Sequence, residues 1–166
     1  RMHPLLAELV RESADGGVVL ARMTEWFVAR LPLESATDAR ALGERWTEVH
    51  AETSALADWL RRVPDESMPV VEEAGCRYAM RAGPFATWAA FCGRLLAKHQ
   101  DLQTRSNALW TLGQVAMSAG DLDGAEAAAR EKSRIDQTAG RDRGAALAAG
   151  LRADILEARG RLDEAL

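Results

Sequence analysis

Residues Ala108–Arg130, ALWTLGQVAMSAGDLDGAEAAAR, read as helix, tight turn and helix. Its first half carries Leu109, Leu112, Val115, Ala116 and Ala119 at steps of three and four, the period of one helix face. Gly120-Asp121 interrupts the run as a tight turn, and Leu122, Ala125, Ala128, Ala129 and Ile135 then resume it as a second stripe. The alanines of that stripe are small enough for two antiparallel helices to approach closely. A helix hairpin of this kind cannot bury its apolar face alone, so neighbouring copies are expected. Two echoes supply them. Ala82-Gly83-Pro84-Phe85 followed by Trp88 lies 37 residues upstream, and Arg159-Gly160-Arg161-Leu162 followed by Ala165 lies 40 residues downstream.

Working outward, Gly83-Pro84 turns a helix predicted over Met68–Arg81, with stripe Val70, Val71, Ala74, Tyr78 and Ala79, into a second over Phe85–Lys98. Phe85, Trp88, Phe91, Cys92, Leu95 and Leu96 should face inward on the latter. Asp65 or Ser67 is available to cap the first, with Pro69 in its opening turn. Gln100–Asn107 reads as a link to the central hairpin. Downstream, Arg141–Arg159 should carry the stripe Leu147, Leu151, Ile155 and Ala158.

Ahead of these hairpins, Pro4 with Leu5, Leu6, Leu9 and Val10 predicts a first helix that stops at Asp15-Gly16-Gly17. A second is expected from about Val18 to Leu31, closed by Pro32, with Leu20, Met23, Phe27 and Leu31 inward and Val19 and Trp26 widening the face. From Thr37 to Val63 there is no proline, and Leu42, Trp46, Val49, Thr53, Leu56, Leu60 and Val63 alternate steps of four and three. That heptad seam is most simply one helix of roughly 40 Å at 1.5 Å per residue, packed within the chain, with a break near Gly43 or Glu52 as the alternative. Strand signals are missing. The fold class is therefore all-α: an N-terminal helical linker or bundle over 1–63, then stacked antiparallel hairpins over 68–166.

Composition narrows the function classes. With 48% hydrophobic and 28% charged residues, the sequence is that of a globular chain, and no apolar run approaches the roughly 18 residues that span a bilayer. A net charge of −4 argues against a broad nucleic-acid surface. Arg130, Lys132, Arg134, Arg141 and Arg143 are interleaved with Glu126, Glu131, Asp136 and Asp142, which reads as a solvated helix end, with a local anion site as the alternative. Cys76 and Cys92 sit on apolar stripes as small buried hydrophobes, and with no signal peptide ahead of them a cytoplasmic chain is expected. The chain opens at Arg1 and ends at Leu166, six residues past the third turn glycine, which suggests a fragment of a longer protein. No glycine loop for phosphates, no zinc-spaced Cys/His cluster and no nucleophile motif is present. His3, His50 and His99 are scattered, and the carboxylates Glu72-Glu73 and Asp121 to Glu126 are explained by solvation and the helix dipole. No enzyme, metal or cofactor is expected.

Residue by residue, the central hairpin resembles the tetratricopeptide repeat: Leu112-Gly113 is similar to its close-packed Leu-Gly pair, Gly120-Asp121 to its turn, and Ala125 to its small contact residue. Gly75-Cys76 supplies the small pair upstream, whereas downstream Arg152-Ala153 occupies that place with the apolar register shifted by one. The resemblance implies a right-handed solenoid over 68–166. The segment Arg1-Met2-His3-Pro4-Leu5-Leu6 resembles the Met-His-Asp segment of NB-ARC, or STAND-type, switch ATPases, with Pro4 in place of the aspartate. Arg22-Met23-Thr24-Glu25-Trp26-Phe27 and Trp46 to Leu60 resemble the helices that join such an ATPase to a C-terminal repeat array. In that family the histidine approaches the phosphates of bound ADP. His3 would therefore sense nucleotide only in a full-length context.

The resemblance implies a protein-interaction or signal-sensing array that binds a peptide, a partner protein or an inducer on a concave wall of first helices. The ATPase domain of the same full-length chain is a candidate partner. The alternative is a structural spacer or oligomerisation arm with no ligand of its own. On the central hairpin the wall residues would be Asn107, Trp110, Gln114 and Met117. Upstream the matching places hold Glu73, Arg77 and Met80, and downstream Asp154 and Glu157. Trp110 has two readings: it widens the packed stripe, or it offers a flat apolar anchor flanked by Gln114 and Arg77.

Overall fold

A computed structural model describes residues 16–31 and 39–161, with 39–43 and 45 described by their backbone alone. Every regular element among these residues is helical: α1 (Gly16–Arg30), α2 (Ala39–Ala51), α3 (Thr53–Arg62), a 3-10 turn (Asp65–Ser67), α4 (Met68–Ala82), α5 (Phe85–Lys98), α6 (Leu102–Ser118), α7 (Leu122–Thr138) and α8 (Asp142–Ala158). No strand occurs among the described residues. The expected helix over residues 4–10 lies outside them, as do Leu162 and Ala165 of the third echo and the Leu42 side chain. The chain forms two compact units, Arg1–Thr87 and Trp88–Leu166.

In the first unit an aromatic ladder organises the core. Phe27 stacks on Trp59 with ring centroids 4.7 Å apart, and Trp26 meets Phe27 edge-on at 4.9 Å. The indole N–H of Trp59 donates to Thr24 Oγ1 at 2.9 Å, and that hydroxyl donates onward to the Leu20 carbonyl at 2.9 Å. A tryptophan with no exposed surface thereby keeps its one polar atom satisfied. The guanidinium of Arg30 covers the Trp26 face at 4.3 Å and pairs with Glu48 at 3.1 Å. The helix starts two residues before Val18, so Gly16 and Gly17 lie in its first turn rather than outside it.

The long seam is two helices, not one. Glu52 leaves the helical region at φ −104°, ψ 25°, and separates α2 from α3. The Thr53 hydroxyl donates to the His50 carbonyl at 2.6 Å and satisfies an acceptor at the break. Val49, Leu56, Leu60 and Val63 are nevertheless all buried, so the inward period survives the break. Trp46 is half-buried, with its ring edge-on to Tyr78 at 5.6 Å.

On α4 the inward face is rotated from the expected one. Val70 is 55% exposed, whereas Met68, Glu72 and Gly75 join Val71, Tyr78 and Ala79 inside. Ser67 occupies the N-cap position without a side-chain cap, because the 3-10 turn carries the chain into the helix. Gly83 then turns the chain at φ +43°; a Cβ there would lie 2.8 Å from the Phe85 amide nitrogen.

In the second unit Trp88, Phe91, Cys92 and Leu95 are buried on α5, as the stripe predicts, with Trp88 and Phe91 edge-on at 5.5 Å. Helix α6 begins earlier than expected. Asp101 caps it by accepting from the Thr104 amide at 2.7 Å, so most of the expected link Gln100–Asn107 is helical. Helices α6, α7 and α8 have 17 residues each, joined by three-residue turns. Their turn glycines, Gly120, Gly140 and Gly160, stand 20 residues apart at φ +80°, +65° and +72°. All three turns share one hydrogen-bond pattern, in which the residue after the glycine donates to the carbonyl four residues before it: Asp121 to Ala116 at 2.9 Å, Arg141 to Asp136 at 2.8 Å and Arg161 to Leu156 at 2.9 Å. That is the Schellman closure, which needs a left-handed residue and so selects glycine.

Helix α6 packs along α7, α7 along α8, and α6 also touches α8. Gly113 lies where the three meet: a Cβ placed there would stand 2.8 Å from Leu151 Cδ2, 3.6 Å from the Ala125 carbonyl oxygen and 3.6 Å from Ala128 Cβ. The expected stripe of α8 is only partly inward. Leu151 and Ile155 are buried, but Leu147 is 45% exposed and Ala158 is exposed, and Ala148 is buried instead.

Candidate functional site

The nine residues expected to line a wall fall in both units, and each unit holds its own set. In the first, Glu73 and Arg77 are exposed and Met80 is half-buried on α4. In the second, Asn107, Trp110, Gln114 and Met117 are half-buried on α6, while Asp154 and Glu157 are exposed on α8. Helices α6 and α8 run in the same direction, because each is antiparallel to α7. Trp110 and Met117 pack against the core cluster of Ala116, Ala125, Ala129, Leu151 and Ile155, so they lie along the α6–α8 contact. Asn107 accepts from Gln103 Nε2 at 2.8 Å. His3 lies outside the described residues.

A buried polar cluster beside this wall is absent from the expected site. Lys132 and Asp136, one helical turn apart on α7, are 4% and 1% exposed, and Ser106 of α6 is 2% exposed. Lys132 Nζ donates to Asp136 Oδ2 at 2.7 Å and to Ser106 Oγ at 2.7 Å, and Ser106 Oγ donates to Asp136 Oδ2 at 3.0 Å. The other carboxylate oxygen accepts from Arg141 Nε at 2.9 Å. Arg141 in turn reaches the Gln103 side-chain oxygen and the Leu102 carbonyl, both at 3.0 Å. Burial pushes the Asp136 carboxyl up, but the hydrogen bonds from Lys132 and Ser106 and the charges of Lys132 and Arg141 outweigh it and hold the group below the ordinary range.

The expected solvated helix end is therefore wrong for Lys132 and Asp136. The signal was present: Lys132 lies seven residues after Ala125, on the same face as Ala128, Ala129 and Ile135. A cation on an apolar stripe reads as a break in that stripe unless its partner is known. Glu72, also expected to be solvated, is 4% exposed.

At the opposite end of α7, Arg159 bridges Asp123 and Glu126, and Arg130 pairs with Glu126 as well. The hydrogen bond from Arg159, above all, holds the Glu126 carboxyl low. Asp121 accepts from the Gly124 amide at 2.9 Å. These carboxylates serve helix ends. Arg105 does likewise at the end of α5, donating to the Leu96 carbonyl at 2.7 Å.

Burial, with Glu72 nearby, pushes the Cys76 thiol up to about 11, which leaves it protonated near neutral pH. Lys132 and Ser106 form a close pair, but the Asp136 carboxylate holds the ammonium and neither side chain opens to solvent. Among the described residues no group of three His, Cys, Asp or Glu side chains could hold a metal, and no helix is long and apolar enough to cross a membrane. The chain matches no protein-family model, no curated protein and no solved structure.

Proposed function

We propose that this chain is a protein-interaction or signal-sensing helical repeat region of a larger regulatory protein, the arm through which a STAND-type switch ATPase recognises its signal. The even spacing of α6, α7 and α8 and their shared glycine turns support a tandem array. The observation that carries the binding reading is that Trp110 and Met117 of α6 are half-buried against the core of the second unit, while Asp154 and Glu157 of α8 are exposed. A half-buried tryptophan held by core contacts is preorganised and loses little entropy when a partner covers it.

In mechanism, a peptide or protein segment lies along α6 and α8, and its differential affinity for the two switch states shifts their population. The test is Trp110→Ala in the full-length protein, with partner capture and urea unfolding measured together. The reading expects capture to fall while the fold persists. Capture unchanged in a folded variant would remove Trp110 from the site.

A further inference from the structure

Helix α8 is seated in a way that its apolar residues do not explain. Leu147, Leu151, Ile155 and Ala158 share one face, and burying them together would be the simplest hydrophobic solution. Instead Leu147 stays 45% exposed and Ala158 is exposed, while Ala148 is buried and Gly144 is turned inward. On a helix of 3.6 residues per turn, the observed face of Gly144, Ala148, Leu151 and Ile155 is rotated by roughly 35° from the most apolar one. The interface itself is permissive. Its α7 side is largely alanine, Ala125, Ala128 and Ala129, which interlocks weakly, and the large apolar side chains that α8 sets into the cluster are Leu151, beneath Gly113, and Ile155.

What does fix the rotation is polar. A Cβ at Gly144 would stand 2.4 Å from Asp136 Oδ2 and 2.5 Å from Asp136 Cγ, so the carboxylate occupies the space that a side chain would need. That carboxylate cannot move away. One oxygen is held by Lys132 and Ser106 and the other by Arg141, which is itself tied to Gln103 and Leu102 on α6. The Asp136 carbonyl also accepts from the Arg141 amide that opens the turn into α8. The one residue of α8 that can lie against this group is a glycine. Turning α8 back to bury Leu147 would carry Gly144 off the carboxylate.

We propose that the buried Ser106–Lys132–Asp136–Arg141 cluster is a seating key: it selects the rotation at which α8 docks on α6 and α7, against the more apolar alternative, and is not the main source of the unit's stability. A buried ion pair is costly to desolvate and can often be replaced by apolar residues of like shape without loss, so retaining one here is accounted for by specificity. The key acts on the helix that carries Asp154 and Glu157, and so decides where those carboxylates point.

The experiment replaces the key with apolar shapes, Ser106→Ala, Lys132→Met and Asp136→Leu together, and reads the rotation of α8 through two single cysteine probes. Leu147→Cys and Ala148→Cys are introduced separately, with and without the triple replacement, and maleimide labelling is followed by peptide mass spectrometry so that the native cysteines are counted apart. With the key intact, the cysteine at 147 should label faster than that at 148 by about tenfold or more, as an exposed site does against one that needs local opening. With the key replaced, that ratio should collapse toward one or invert while helicity and the urea midpoint hold. An unchanged ratio in the folded triple variant would overturn the proposal, because apolar packing alone would then set the rotation. Unfolding of the triple variant would overturn it too, since the cluster would then be a principal source of stability. Gly144→Ala, which keeps every charge, gives a second reading: the ratio should fall there also, and an unchanged ratio would show that Gly144 need not lie against Asp136.

Discussion

Replacing Gly113 by alanine adds one methyl group at the junction of α6, α7 and α8. The new Cβ would stand 2.8 Å from Leu151 Cδ2, where ordinary contact needs more than 3.4 Å, so Leu151 must retract by several tenths of an ångström or more. It has little room to do so, being 1% exposed and packed with Ala116, Ala125, Ala129 and Ile155. Overpacking of this kind costs about 1–3 kcal/mol. The change also gains about 1 kcal/mol, because alanine is the better helix former. The net loss for Gly113→Ala should therefore lie between about 0 and 2 kcal/mol, and Gly113→Leu, which adds three more carbons at the same junction, should lose more. Because that sum is small, coupling gives the sharper test. Leu151→Ala alone should cost about 2–5 kcal/mol through the cavity it leaves. In the Gly113→Ala background the clash is gone and the new methyl group occupies part of that cavity, so the double variant should be more stable than the sum of the singles by about 1–3 kcal/mol. Urea unfolding of the four proteins, followed by far-UV circular dichroism, supplies the cycle. Additivity within about 0.5 kcal/mol would refute the contact and with it the close approach of α6 and α8 at Gly113.

Two further outcomes follow from particular contacts. Thr24→Val keeps the shape of the side chain but leaves the buried Trp59 indole without its acceptor, and should cost about 1–3 kcal/mol in a chemical melt, whereas Trp59→Ala should cost about 3–5; a neutral Thr24→Val would mean that the 2.9 Å bond contributes nothing. Because Asp136 is held below its unfolded value, it adds stability that is fully present above the ordinary carboxylate range near pH 4 and is lost as pH falls through its folded value; Asp136→Asn should therefore lower the midpoint at neutral pH and flatten its decline in acid, leaving the part due to Asp101, Glu126 and Glu131, and an unchanged acid slope would count against the pairing.

Much of the fold could be read from local signals. Helix boundaries at Phe85–Lys98 and around Gly120 and Gly160 follow from proline and glycine, which act on their own backbone whatever surrounds them. The turn at Gly140 is of the same kind, with the same spacing and hydrogen bonds, but the sequence signal is weaker there, because Asp142 stands where the other two turns are followed by the apolar Leu122 and Leu162. Heptad spacing likewise placed Val49, Leu56, Leu60 and Val63 inside, although it could not show the break at Glu52, since a side chain keeps its inward period across a single non-helical residue.

The wall residues illustrate the boundary between the two kinds of knowledge. Spacing just off the stripe marks Asn107, Trp110, Gln114 and Met117 as neighbours on one helix face, because 3.6 residues per turn is a property of the chain itself. Which face of α8 stands beside them is not. Local sequence was enough for helices throughout the described residues, for the turns at Gly83, Gly120 and Gly160, and for most of the inward stripes of α5, α6 and α7, the exposed Ala119 excepted, because backbone sterics and hydrophobic period are set within one or two turns. Contacts between helices set the rest: α8 turns Gly144 and Ala148 inward and leaves Leu147 out, α4 exposes Val70, and Lys132, Asp136 and Ser106 are buried together. The physical reason is that a charged group's place depends on a partner 26 or 30 residues away, and the gain of that pairing exists only once the helices have been brought into contact.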